Sequence, residues 1–169
     1  HSPVIIDGFT IKKGFSRQGL TDGTALYLKK YFQIRNCVIT DNCTNSSIGA
    51  IHIASADVNN CNLRYSINTF ENCKINENEG KITIHSENTT FLNCEISDND
   101  GVGAEVLSYT KFDNCKLSNN GSRALKILWS AKKFTDELGI EKMALSHHDV
   151  INTIISNNVG GVYLENPKE

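Results

Sequence analysis

One row of side chains in this sequence combines the residue types that bind sugars and move protons. Its members lie between two aliphatic residues in successive copies of a repeat: Tyr27, His52, Thr83, Glu105, Lys126 and Tyr163. Neighbouring positions add Lys29, His85 and Glu165. Aromatic rings offer apolar faces that can stack on pyranose rings, while Lys and Glu side chains can hold hydroxyls or carboxylates. We therefore predict a ligand-binding strip at Tyr27, His52, Glu105, Lys126 and Tyr163.

Catalysis is a second hypothesis for the same row. The candidates for acid–base chemistry are Lys126, Glu105 and His52. A glycoside hydrolase needs two carboxylates at a defined separation, but the centre of the row offers one, Glu105, beside Lys126. A simpler interpretation is a solvated cross-strand ion pair between Glu105 and Lys126, which would contribute roughly a few tenths of a kcal/mol.

A repeat of 21 residues positions this row, since 91 − 70 and 112 − 91 both equal 21. Residues 70–78, 91–99 and 112–120 share the pattern Phe-x-Asn-Cys-x-aliphatic-x-x-Asn. Residues 34–42 and 150–158 fit it after insertions, and residues 6–11 fit it weakly. A fixed period indicates one structural unit stacked on copies of itself. We expect about six coils. Their alignment is least regular at Glu105, where residues 102–104 are shifted by one against residues 82–84.

Each repeat consists of short predicted strands joined by bends. Cys94 and Ile96 show the two-residue period of a strand, whereas the spacing from Phe91 to Cys94 breaks that period. A bend therefore falls at Asn93, a residue type that tolerates the left-handed backbone region. Asn99 marks the next bend. Stacked coils would align the side-chain amides of each bend in hydrogen-bonded columns, one at Asn36, Asn72, Asn93, Asn114 and Asn152 and another at Asn42, Asn78, Asn99, Asn120 and Asn158.

Four of the six cysteines share one repeat position that should point into the interior: Cys37, Cys73, Cys94 and Cys115. Thiols aligned along a stack do not converge on a tetrahedral metal, and in-register neighbours stand too far apart for a disulfide. We therefore predict small buried apolar groups. Cys43 and Cys61 lie outside this column, and the sequence leaves open whether they pair or stay free.

Two insertions interrupt the period, at about residues 44–69 and 130–149. In the second, Phe134, Leu138 and Met143 or Leu145 have near-helical spacing, which predicts a short helix weakened by Gly139. Trp129 would stand at its root, as an anchor or as a sugar platform. The triplet His147-His148-Asp149 has metal-ligand residue types, but adjacent side chains on an extended chain point to opposite sides. We expect no metal site.

Composition excludes several function classes. The formal net charge of −2 gives no basic excess for binding phosphate backbones, so no nucleic-acid partner is expected. No apolar run is long enough to span a membrane. The sequence has no Gly-rich phosphate loop and no zinc-type Cys pair, so no cofactor is expected. The chain starts at His1 rather than Met, and we expect it to be part of a longer protein.

The pattern Phe-x-Asn-Cys-x-Ile-x-x-Asn-x-Gly, together with the opening residues 4–11, resembles the right-handed parallel β-helix repeat of the pectate-lyase-like superfamily. The resemblance implies an all-β fold, a right-handed parallel β-helix (solenoid) of about six coils. Together with the short helical insertion predicted from spacing, it would form a single domain over residues 1–169. It also implies function on an outward strand face. We expect a non-catalytic module that recognises a polysaccharide or a protein partner. The alternatives are a polysaccharide lyase or hydrolase and a fragment of an adhesin or tailspike stalk. These functions favour an extracellular or cell-surface location over a cytoplasmic one.

Overall fold

The computed structural model describes residues 3–16, 25–29, 32–45, 49–54, 68–128, 131–135, 141–145 and 147–165, and the backbone alone for 131–135 and 141–145. Three parallel sheets of six strands each wrap around one core. The first, sheet A, contains β1 (Val4–Asp7), β5 (Phe32–Arg35), β9 (Asn68–Glu71), β12 (Thr89–Leu92), β15 (Thr110–Asp113) and β20 (His148–Ile151).

The second, sheet B, contains β2 (Thr10–Lys12), β6 (Val38–Thr40), β10 (Lys74–Asn76), β13 (Glu95–Ser97), β16 (Lys116–Ser118) and β21 (Ile154–Ser156). The third, sheet C, contains β4 (Leu26–Leu28), β8 (Ile51–Ile53), β11 (Ile82–Ser86), β14 (Val102–Val106), β17 (Arg123–Leu128) and β22 (Gly160–Glu165). A short parallel pair, β3 (Phe15–Ser16) and β7 (Cys43–Thr44), extends the turn after sheet B. The predicted six coils are confirmed.

Left-handed residues make the bends between sheets A and B, and between sheets B and C. The first bend carries Asn in five coils, with φ between 48° and 53°: Asn36, Asn72, Asn93, Asn114 and Asn152. At the second bend the left-handed residue precedes the repeat Asn, as at Glu77 with φ 54° and Asp98 with φ 57°. Because Asn adopts this region at lower cost than most residues, the repeat fixes where the chain turns.

The interior consists of columns of identical or similar side chains. Phe70, Phe91 and Phe112 stack with ring centroids 5.2 and 4.9 Å apart and are at most 1% exposed. The predicted thiol column, Cys37, Cys73, Cys94 and Cys115, is confirmed as buried and free. These columns repeat because successive coils stack about 4.8 Å apart, so the same side-chain shape packs well in each coil.

Two columns of Asn run along the stack, as predicted, and they differ in burial. The outer column is exposed, and the amides of Asn72, Asn93 and Asn114 each donate to the Asn of the preceding coil, as Asn93 Nδ2 does to Asn72 Oδ1 at 3.1 Å. The inner column is buried from Asn42 to Asn120, and these amides donate to the Asn of the following coil, as Asn78 Nδ2 does to Asn99 Oδ1 at 3.0 Å. Inner amides also bond main-chain carbonyls, so they satisfy polar groups that water cannot reach.

The helix expected within residues 130–149 is wrong. The segment instead forms an antiparallel pair, β18 (Ala131–Thr135) with β19 (Glu141–Leu145). A helix of about ten residues interrupted by Gly139 has too few turns to be stable on its own, whereas two strands satisfy each other's backbone groups.

Cys43 is a free thiol. Cys61 and Trp129 lie outside the described residues. In the part of the chain that the structure describes, no helix is long and apolar enough to cross a membrane.

Candidate functional site

The candidate site is a column of side chains on the outer face of sheet C. Strand pairing aligns Tyr27 with His52, His52 with His85, His85 with Glu105, Glu105 with Lys126, and Lys126 with Tyr163. We call Tyr27, His52, His85, Glu105, Lys126 and Tyr163 the outward column. Parallel pairing in register is what brings residues far apart in sequence side by side.

His85 replaces Thr83 in this column, which corrects the sequence alignment. Thr83 is buried, at 2% exposure, and does not belong to the outer face. The bend after Asn78 is one residue longer than the next one, because His85 lies seven positions after Asn78 while Glu105 lies six after Asn99. Gly80, with φ 136°, lies in the longer bend. The rule of two flanking aliphatic residues selected Thr83, between Ile82 and Ile84, and assigned His85 to a neighbouring position. In the structure Ile82 is half-buried while Thr83 and Ile84 are both buried, so the alternation begins only at Ile84.

The upper half of the outward column is a line of rings. Tyr27 and His52 have centroids 5.0 Å apart, and His52 and His85 are 5.3 Å apart, edge to face. Lys29 Nζ lies 5.2 Å from the Tyr27 ring centroid, within the range of a cation–π contact. Tyr27 stays 40% exposed. A polar, aromatic edge with one cation is thus presented to solvent.

The centre of the outward column is ionic. His85 Nδ1 lies 3.1 Å from Glu105 Oε1, and Lys126 Nζ donates to Glu105 Oε2 at 2.8 Å. Lys126 Nζ also lies 3.7 Å from Glu165 Oε2. The hydrogen bond from His85, supported by Lys126, lowers the pKa of Glu105 against the opposing effect of burial. The hydrogen bond to Glu105 in turn raises the pKa of Lys126.

The lower end of the outward column repeats the pattern of a ring with a cation. The Arg123 guanidinium carbon lies 4.4 Å from the Tyr163 ring centroid, and Tyr163 is 39% exposed. Arg123 was not predicted, because it begins its strand three positions before Lys126 and matches no repeat position of Tyr163. The two predicted tyrosines therefore stand at opposite ends of the column, each beside a cation.

The contacts at the centre of the outward column favour charged side chains. The raised pKa of Lys126 and the lowered pKa of Glu105 favour the ammonium and the carboxylate near neutral pH. In these forms Lys126 is a hydrogen-bond donor and Glu105 an acceptor. Of the three catalytic candidates, Glu105 and Lys126 contact each other directly, and the His52 ring contacts the His85 ring.

The second histidine cluster lies elsewhere. His147 Nε2 lies 2.9 Å from Asp149 Oδ1, and His147 stacks on Tyr109 at 5.9 Å. Burial lowers the pKa of His148 to about 4, so this ring stays neutral near neutral pH. Within the described part of the chain, no group of three or more His, Cys, Asp or Glu side chains could hold a metal ion.

A family model described as a right-handed β-helix region matches residues 30–168. The chain belongs to this family. Its three parallel sheets, wound in successive coils, are consistent with a β-helix. No curated protein and no solved structure matches the chain. The family assignment therefore establishes the fold and leaves the ligand to be argued from the side chains of the outward column.

Proposed function

We propose that this β-helix is a non-catalytic binding module that recognises a polysaccharide through the outward column. The observation that carries the proposal is the arrangement of two half-exposed tyrosines, each beside a cation, around a closed His85–Glu105–Lys126 network. Sugars present both apolar ring faces and hydroxyls. Aromatic rings beside fixed charged donors and acceptors are the complementary surface.

Rigidity supports recognition over chemistry. The outward column stands on sheet C, whose inward neighbours Ile84, Ala104 and Val106 are fully buried. A binding surface built on such strands pays little ordering cost when a ligand arrives. The ion pairs keep Glu105 and Lys126 in one geometry without ligand. A polymer would then form hydrogen bonds along several coils at once, and many weak contacts would sum to useful affinity.

Affinity gel electrophoresis with soluble polysaccharides tests the proposal. The panel contains galactomannan, mixed-linkage β-glucan and polygalacturonate, each polymerised into a separate native gel. We expect at least one polymer to retard the protein, and Tyr27→Ala and Tyr163→Ala each to weaken retardation about tenfold, as for the loss of an aromatic anchor. Tyr109→Ala, the same change outside the column, is the matched control and should behave like the parent protein.

The result that would overturn the proposal is migration unaffected by every polymer. Release of shortened oligosaccharides from any polymer would also overturn it, because a catalytic site would then be present. Equal weakening by Tyr27→Ala, Tyr163→Ala and Tyr109→Ala would contradict the assignment of binding to the outward column. Thermal unfolding of each variant shows whether a loss of binding reflects a loss of fold.

A further inference from the structure

A groove lies beside the outward column, where the bends from sheet B enter sheet C. It has a volume of about 630 Å³ and crosses four coils, with walls that include Thr44, Gly80, Lys81, Asp100, Gly101 and Ser122. A volume of this size is typical of small-ligand sites. The bends stack directly on one another, so the groove runs along the solenoid axis, parallel to the outward column.

Glycines at this groove allow the stacked backbones to approach one another closely. A Cβ on Gly101 would collide with the backbone carbonyl oxygens of Gly80 and Lys81, and a Cβ on Gly80 would collide with Thr44. Gly80 also has a φ of 136°, which side-chain-bearing residues rarely adopt. The neighbouring coil therefore occupies the Cβ positions of both glycines, and Gly80 and Gly101 line the groove with main-chain atoms alone.

The chemistry of the groove is polar and electrically balanced. Lys81 supplies a donor and Asp100 an acceptor on adjacent coils, and no ion pair engages either side chain within the described part of the chain. Ser122 adds a hydroxyl on the next coil. Opposite charges cancel, so the groove does not favour a ligand of either net charge. Alternating donors and acceptors match a chain of hydroxyl groups, each of which both donates and accepts.

The groove and the outward column face the same ligand path. Lys81 lies immediately before β11 and precedes His85 by four residues, which corresponds to about 13 Å at the rise of a strand. Asp100 and Ser122 precede Glu105 and Lys126 by five and four residues. We propose that the groove is a second binding subsite for an uncharged, polyhydroxylated polymer that lies along the solenoid axis. This inference rests on the proposed polysaccharide-binding function.

The same gels test this inference with variants that keep the net charge. In the double variant Lys81→Gln/Asp100→Asn one positive and one negative charge are lost, so electrophoretic mobility without polymer stays constant. Its matched control is Lys116→Gln/Glu95→Gln, an exposed opposite-charge pair on sheet B whose Nζ–Oε1 distance is 3.1 Å. Ser122→Tyr fills the groove without changing charge.

We expect galactomannan or mixed-linkage β-glucan to retard the parent protein. Lys81→Gln/Asp100→Asn should weaken that retardation about tenfold, because hydrogen bonds to charged groups are lost. Ser122→Tyr should weaken it by a similar factor, because the new side chain blocks access to the groove. The sheet B control should leave it unchanged. Retardation that falls in Tyr27→Ala but not in the groove variants would overturn the groove alone. Retardation by polygalacturonate only would overturn the uncharged ligand class. Absence of retardation in every gel would overturn the proposed function itself, and the groove with it.

Discussion

The central coils carry two columns of stacked side chains, one inside and one outside, and the columns follow different rules. Inside, Phe70, Phe91 and Phe112 repeat one residue type with rings 5.2 and 4.9 Å apart. Outside, three different residues occupy the equivalent steps, and His85, Glu105 and Lys126 are joined by polar contacts of 3.1 and 2.8 Å. Packing against identical neighbours demands repetition, whereas a solvent-facing position tolerates any complementary sequence. The outward column is therefore the place where the side chains of a β-helix can vary to bind a ligand.

The largest difference between the columns should appear in stability. Phe91→Ala removes the middle ring of the inner stack and leaves a cavity, so we expect the free energy of unfolding to fall by about 3–5 kcal/mol. Thr69→Ala, at the outward position of the neighbouring strand β9, should change it by less than about 0.5 kcal/mol. Urea denaturation monitored by circular dichroism measures both. A loss below about 1 kcal/mol for Phe91→Ala would contradict the sealed interior.

The two Asn columns sharpen the same comparison with a single residue type. Asn99 is 2% exposed, and its amide bonds the Ile75 carbonyl and Asn120 Oδ1 while accepting from Asn78. Asn99→Ala leaves several buried groups unpaired, and we expect a loss of about 3 kcal/mol. Asn93→Gly, in the exposed column with φ 52°, should cost less than about 0.5 kcal/mol. Similar urea midpoints for the two variants would show that burial does not separate the columns.

The ionic centre should add a smaller, pH-dependent share of stability. The folded pKa of Glu105 is lowered, so its contribution is present above the unfolded value of about 4.3 and is lost as pH falls through the folded value. At pH 7 we expect Glu105→Gln to be less stable than the parent by about 1 kcal/mol. The difference should shrink below about pH 4.3. Urea midpoints measured at several pH values test this. A gap that is constant or widens on acidification would contradict the ion-paired state.

The smallest expected effect is a gain. Glu77 holds a left-handed φ of 54° at a bend where other coils place Asn119 and Asn157. Because Asn adopts this region at lower cost, Glu77→Asn should stabilise the protein by about 0.5 kcal/mol. Glu79→Asn, two residues along at a position without positive φ, serves as the control. Differential scanning calorimetry should show a higher Tm for Glu77→Asn alone. A lower Tm would mean that the Glu77 side chain has a role that the bend geometry does not reveal.

Sequence periodicity predicted the fold far better than the site. The spacing of Phe70, Phe91 and Phe112 predicted stacked coils, because a core position must repeat when each coil packs on another of the same shape. The outward column lacks that constraint. Its outward positions were therefore inferred from flanking aliphatic residues, and that rule selected the buried Thr83, between Ile82 and Ile84, in place of His85. The strand pair in residues 131–145 was missed because an insertion follows no repeat, and short segments show helical and strand spacing about equally well.

The groove beside the outward column also could not be predicted from the sequence. Gly80 and Gly101 fit the bend pattern, but only the stacked coils show how closely their backbones approach and that both residues line a groove. The ring–cation pair of Tyr163 and Arg123 was missed for a similar reason, since the contact crosses coils diagonally. Side-chain contacts between coils depend on direction as well as register. Periodicity supplies the register alone.

The double variant Tyr27→Ala/Tyr163→Ala tests the central claim most directly, with polysaccharide affinity and thermal unfolding measured on the same sample. Both rings are about 40% exposed, so their removal should leave Tm within about 2 °C of the parent. Affinity for the retarding polymer should fall by at least about tenfold. Unchanged affinity together with a large drop in Tm would show that the outward column stabilises the solenoid and does not bind the ligand.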